Sequence, residues 1–304
     1  MLYPAELRGR QGQDSLPTER RQRGQMATAG RDRCLLRSGL AAVVFLFFSH
    51  AALAAECPSV GTETATVAEV LDGDTLRLSD GATIRLAGIE APKPPLSKPR
   101  DRPREPAETA REGLRILVGG ATVGLALTRN EADRYGRRHA FVFLADGRSA
   151  QAETVERGFA RVRWLPEESQ CFQSLLAAEG SAREGRRGIW ANPEYLPRNA
   201  NDPSLLERNG LYELVEGRIV SVGHGTRMVF LDFGRSYRRD FTVMVSPAVA
   251  QRLVAAGLPP DGFANRRVRV RGVIEESGRP AIRMNDAAEI EFLDDDQDNV
   301  GAHR

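Results

Sequence analysis

From Thr64 to Leu86 the chain alternates apolar and polar residues, and Asp72-Gly73 and Asp80-Gly81 interrupt the alternation. A period of two punctuated by Asp-Gly turns dictates short antiparallel strands joined by tight hairpins. The stretch therefore reads as a meander of three strands. The residues after it, 91–106, are Pro-rich and basic with no periodicity, which makes them an exposed loop. A helix is expected over 107–118, with Leu114 and Leu117 on one face, then strands over 122–128 and 138–148. Residues 150–158 read as helical and 159–164 as extended. A further helix over 166–188 opens with acids and closes with basic residues and Gly188, as the helix dipole prefers.

A second module starts near Leu211. Six strand-like runs and one helix, over 246–257, fill about 85 residues, a pattern that suits a small closed barrel of the OB type. The expected fold class is mainly β with helices (α+β). The expected organisation is 1–54 leader, 60–192 first domain, 193–210 linker rich in Pro and Asn, 211–293 second barrel, and 294–304 acidic tail.

The leader is set apart by its own pattern. Arg31, Arg33 and Arg37 precede the apolar run Ser38–Phe48, and Ala52 and Ala54 follow as an A-x-A cleavage site. This is a secretory signal peptide, with Met26 a candidate true start, and it implies export to the periplasm or the medium. The run falls short of the roughly 20 residues of a spanning helix, so no stable membrane insertion is expected after cleavage; an uncleaved anchor is the alternative. Without residues 1–54 the chain holds 35 basic and 37 acidic residues, so bulk charge gives no argument for nucleic acid. Cys34 leaves with the leader. Cys57 and Cys171 remain as one pair in an exported chain, a disulfide by default and two buried thiols otherwise.

Chemistry concentrates in "VLDGDTLRLSDGATIRLAGIEAPK", residues 70–93. It sets Asp72, Asp74 and Glu90 near Arg85. Later, "DRYGRRHAF" places Arg134, Tyr135, Arg137 and Arg138 just before a strand. Clustered carboxylates suit a hard cation with oxygen ligands. Two arginines aimed at one place suit a phosphate, whose oxygens match the guanidinium fork. Each piece alone has an ordinary reading as a turn residue or a surface cation.

In order, the blocks "VLDGDTLRL", "IRLAGIEAP", "DRYGRRHAFVF", "VERGFARV" and "REGRRGIW" resemble the thermonuclease, or staphylococcal nuclease-like, family from about Ala65 to Trp190. The resemblance implies a five-stranded OB barrel with three helices, followed here by the second OB-like barrel. It implies Ca²⁺-dependent hydrolysis of DNA or RNA, single-stranded, with oligomeric state left open. Asp74 and Glu90 would bind Ca²⁺, with Glu90 standing where the family has an aspartate. The Ala91 backbone carbonyl would complete the site, and Asp72 and Thr75 would support it. Arg85 and Arg137 would clamp the phosphate, Arg134 and Tyr135 would hold a terminal phosphate, and Trp164 would pack on a base.

Lys93 departs from the pattern. The family motif ends Pro-Glu, and that glutamate serves as general base; here it ends Pro92-Lys93. A lysine with an ordinary pKa of about 10.4 is protonated at neutral pH, and general-base help is worth about 10²–10⁴ in rate. Three readings stay open: a slow nuclease, rescue by another carboxylate such as Glu105 or Glu108, or a silent site that binds nucleic acid or a protein. In the second module Arg267, Arg269 and Arg271 alternate along one strand face. They suit an ordinary solvated face with the valines turned inward or an accessory phosphate track, and the module suits a protein–protein adaptor or an envelope tether as well.

Overall fold

Strand alternation becomes a closed five-stranded barrel in the computed structural model, which describes residues 57–93, 105–128, 132–236, 239–276 and 278–293. The expected signal peptide, the Pro-rich loop beyond Lys93 up to residue 104, and the acidic tail lie outside the described residues. The barrel strands are β1 (Glu63–Asp72), β2 (Thr75–Leu78) and β3 (Thr83–Leu86). A short β4 (Ile89–Glu90) follows, then helix α1 (Glu105–Val118), β5 (Thr122–Leu127) and β6 (Arg137–Phe143). The order is β1-β2-β3-β6-β5, and β1 closes the ring by pairing twice. Its first residues, Glu63–Thr66, lie against β5, and Val67–Asp72 lie against β2. β3 and β6 run parallel, which requires a crossover, and α1 lies within it.

α1 buries Ala107, Ala110, Gly113, Leu114 and Val118, a helical stripe that faces the barrel. Helix α2 (Ala150–Glu156) is capped by the Ser149 side chain. β7 (Arg161–Val162) pairs with β4. The helix expected over 166–188 is divided. It opens as a 3-10 segment, Pro166–Cys171, continues as α3 (Phe172–Glu184), and stops before Arg186 and Gly188, both at positive φ. A disulfide joins Cys57 to Cys171 and so ties the start of the first barrel to α3.

The second module comprises β8 (Arg198–Asn199), β9 (Tyr212–Arg218), β10 (Ser221–His224), β11 (Val229–Asp232), β12 (Thr242–Val245), helix α4 (Pro247–Ala255), β13 (Arg267–Glu276), β14 (Pro280–Met284) and β15 (Ile290–Phe292). The sheet order is β10-β11-β12-β14-β13-β9-β8, with β15 on β13. β9 and β10 are successive pieces of one extended stretch, broken at Ile219–Val220. Counted together they repeat the first barrel's order, including a parallel pair, β12 with β14, and a helix between its strands. This is the OB-like arrangement read from the strand count.

The segment read as a linker is structured. Residues 193–210 form two 3-10 turns and β8, which pairs with β9. The modules meet through Ala182, Ile189, Trp190, Tyr195 and Leu214. No helix among the described residues is long and apolar enough to cross a membrane.

Candidate functional site

The turn between β1 and β2 carries the first carboxylates. Asp72 Oδ1 accepts the Asp74 N–H at 3.0 Å, which fixes the turn. Gly73 is required there by space: a Cβ would stand 2.7 Å from the Cβ atoms of both Ala110 on α1 and Ala91. Asp74 has no exposed surface. Its Oδ1 accepts from Thr75 Oγ1 at 3.0 Å and Arg85 Nη1 at 2.9 Å, and its Oδ2 accepts the Ala91 N–H at 2.7 Å. The register that opposes Thr75 to Arg85 makes these contacts. Arg85 also donates to Glu90 Oε2 at 2.8 Å and to the Ile89 carbonyl. Arg163, beside β7, reaches the same Glu90 oxygen at 2.6 Å. Lys93 Nζ donates to Asp72 Oδ2 at 2.8 Å and to Asp74 Oδ1.

Burial alone would raise the Asp74 pKa. The charges of Arg85 and Lys93, with hydrogen bonds from Lys93 and Ala91, outweigh it and hold the group at about 2. Burial would likewise strip a proton from Arg85, but Asp74, Glu90, Asp72 and Glu168 raise its affinity for that proton.

These residues do not fit Ca²⁺, which takes 6–8 oxygen ligands. The Asp74 and Asp72 oxygens that would receive it face the Lys93 ammonium. The reachable Glu90 oxygen is shared by two guanidiniums. Ala91 meets Asp74 through its N–H. Among the described residues no group of three or more His, Cys, Asp or Glu is arranged to hold a metal. Glu105 and Glu108 are both exposed on α1, and Glu105 lines a separate hollow with Phe159, Gly188 and Asn192.

The parallel register of β3 and β6 sets His139 beside Arg85 and Arg137 beside Thr83, all on one sheet face. Arg137 is held by Asp133, which takes its Nε at 2.9 Å, its Nη2 at 2.8 Å and its backbone N–H at 3.0 Å. Burial pushes Asp133 up, but the bonds from Arg137, His139 and Tyr135 dominate and hold it well below the carboxylate range. Arg134 and Arg137 each lie 5.1 Å from the Tyr135 ring, and Tyr135 is 68% exposed. Gly136, at φ 76°, allows the turn that brings them together.

Behind Arg137 runs a chain of contacts. His139 Nε2 lies 3.2 Å from Asp133, its Nδ1 lies 2.5 Å from Glu168, and Glu168 accepts the Gly88 N–H at 2.6 Å. Sequence reasoning passed over Asp133, His139, Glu168 and Arg163. Asp133 opens the stretch "DRYGRRHAF" already quoted, and His139 stands two residues beyond Arg137 on the same strand face. Both were within reach of the pattern. Glu168 and Arg163 pair across distances in sequence that no local pattern encodes.

Two expected contacts take a different form. Trp164 is partly buried at the edge of the first core, so it packs as well as faces outward. The arginines of β13 are not a free phosphate track. Arg271 is 0% exposed and bonded to Glu179 at 2.9 Å, Glu291 at 2.6 Å and the Val162 carbonyl. Arg269 is paired to Glu216 and Glu291, and Arg267 lies near Glu216. The three do share one face, but Arg271 is buried against the first module, Arg269 is tied to carboxylates of its own module, and Arg267 stays half-exposed.

Residues 83–192 match the family described as staphylococcal nuclease homologue. The chain is 30% identical over 134 residues to a protein of Escherichia coli O157:H7 named uncharacterized endonuclease, covering 43% of this chain and 79% of that one. It is 26% identical over 133 residues to the thermonuclease of Staphylococcus hyicus, covering 43% and 77%. It is 32% identical over 173 residues to staphylococcal nuclease domain-containing protein 1 of Schizosaccharomyces pombe, covering 52% of this chain and 19% of that one.

Proposed function

The chain belongs to the staphylococcal nuclease homologue family, and from that premise we propose that its first barrel binds single-stranded DNA or RNA and hydrolyses phosphodiester bonds. The observation that carries this reading is the Arg134–Tyr135–Arg137 group, exposed at Tyr135, with Arg137 on the sheet face that also holds Arg85. A guanidinium fork pairs with phosphate oxygens. An exposed tyrosine stacks on the face of an unpaired base, a face that a duplex hides. Arg137 is held in place by Asp133 before substrate arrives, so its charge meets the growing charge on phosphorus oxygens without reorganisation.

We further propose export, to the periplasm or the medium. The leader pattern supports it, as does the Cys57–Cys171 disulfide, which suits an oxidising compartment. One observation favours a second reading, binding without turnover: an ammonium stands where the family carries its general base.

Purified protein mixed with end-labelled single-stranded DNA or RNA should yield shortened strands. Arg137→Ala should slow this by about 10²–10³, the usual cost of one charge-stabilising donor. Intact strands that nonetheless bind tightly would establish the second reading. Cleavage unaffected by Arg137→Ala would place the activity elsewhere.

A further inference from the structure

We propose that Lys93 is a tethered cation. Its ammonium takes the position of a divalent ion between Asp72 and Asp74, so the phosphate site engages nucleic acid without a metal. This rests on the nucleic-acid reading above and specifies how that site works.

Asp72, Asp74 and Glu90 supply three negative charges, and Arg85, Arg163 and Lys93 supply three positive ones in direct contact with them. The cluster is neutral as it stands. A glutamate at position 93 would leave it at −2, the deficit that one divalent cation offsets. Replacing one anionic residue with a cationic one therefore swings the local charge by the full charge of a calcium ion.

Asp74 Oδ1 already accepts from Thr75, Arg85 and Lys93, so its lone pairs are committed. The segment that delivers Lys93 is pinned by the Ala91 N–H on Asp74 Oδ2 and by the pairing of Ile89 and Glu90 with β7. Lys93 thus approaches the carboxylates from a fixed backbone. An ammonium has three donors. Two point to Asp72 and Asp74, and the side chain is one-third exposed, which leaves the third donor for a phosphate oxygen on the solvent side.

The test separates this inference from the reading beneath it. Calcium alone would be titrated calorimetrically into the wild type, Lys93→Glu and Lys93→Met, with circular dichroism confirming that each is folded. A fluorescent single-stranded oligonucleotide would then be titrated in EDTA and in calcium, read by anisotropy. The wild type should show no calcium binding and equal oligonucleotide affinity in both buffers. Lys93→Met should lose about tenfold or more in affinity in EDTA, and Lys93→Glu should bind calcium and need it for the oligonucleotide. Calcium binding by the wild type itself, or oligonucleotide binding that EDTA abolishes, would overturn the inference whatever the variants do. An oligonucleotide that binds in no buffer would sink the nucleic-acid reading, while the calcium titration would still decide the role of Lys93.

Discussion

A carboxylate with no exposed surface is costly to ionise unless cations and donors surround it. Asp74 meets that condition with Arg85, Lys93, Thr75 and the Ala91 N–H. Its folded pKa of about 2 lies below the ordinary 3.8. A depressed carboxylate stabilises the fold fully above its unfolded pKa, and that contribution is lost as pH falls through the folded value. Asp74 should therefore contribute about 2 kcal/mol that fades between about pH 4 and pH 2. Urea unfolding of the wild type and Asp74→Asn across that window checks it. The variant should already be weaker at neutral pH by about 3–5 kcal/mol, because Arg85 and Lys93 lose a partner, and should show a shallower acid dependence. Equal acid slopes in the two proteins would contradict the assignment. Asp72, Asp74, Arg85, Glu90 and Lys93 were legible because they fall in one short stretch around two hairpins. That Lys93 turns inward onto two aspartates was not legible, since a sequence gives the charge of a side chain but not its partner.

At the scale of elements, α1 and the Asp-Gly turn are a single unit. Ala110 lies against Gly73, and the turn carries both aspartates. Gly73→Ala should lower stability by about 1–3 kcal/mol through overpacking and weaken oligonucleotide binding, because the turn must move. Melting temperature and anisotropy measure both effects; a variant unchanged in both would mean that the helix does not set the site. The strands of the first barrel followed from their period of two, and α1 from its apolar spacing. The break at Ile219–Val220 was not visible, because both sides of it are strand-like. The 3-10 opening at Pro166–Cys171 was also missed. Acids at its start suit either kind of helix, and the Glu168 that serves His139 looks like any first-turn acid.

At the scale of the molecule, two OB-like modules share buried charge. Glu179 on α3 accepts the Val162 N–H at 2.7 Å and pairs with Arg271 on β13, and both side chains are wholly buried. Tyr212 of the second module donates to the Val162 carbonyl at 2.9 Å. Removing Arg271 takes the nearest cation from the buried Glu179 and leaves Arg183 at 3.5 Å and the Val162 N–H to offset its charge, so Arg271→Ala should cost about 3 kcal/mol and loosen the docking of the modules. Chemical denaturation followed separately by Trp164 or Trp190 fluorescence and by circular dichroism should give one transition in the wild type and two in the variant. Two transitions in the wild type would show that the modules unfold independently. The β13 arginines were read as a surface track because period two assigns them to one side of a strand. Only the docked first module shows that this side becomes an interface at Arg271.

The most direct test of the account is a cleavage time course. End-labelled single-stranded DNA and RNA would be incubated with the wild type and with Arg137→Ala, in excess EDTA and in calcium. The wild type should cut slowly and at the same rate in both buffers, and Arg137→Ala should lose that cutting. Cutting that appears only with calcium would contradict a site in which Lys93 stands in for the metal.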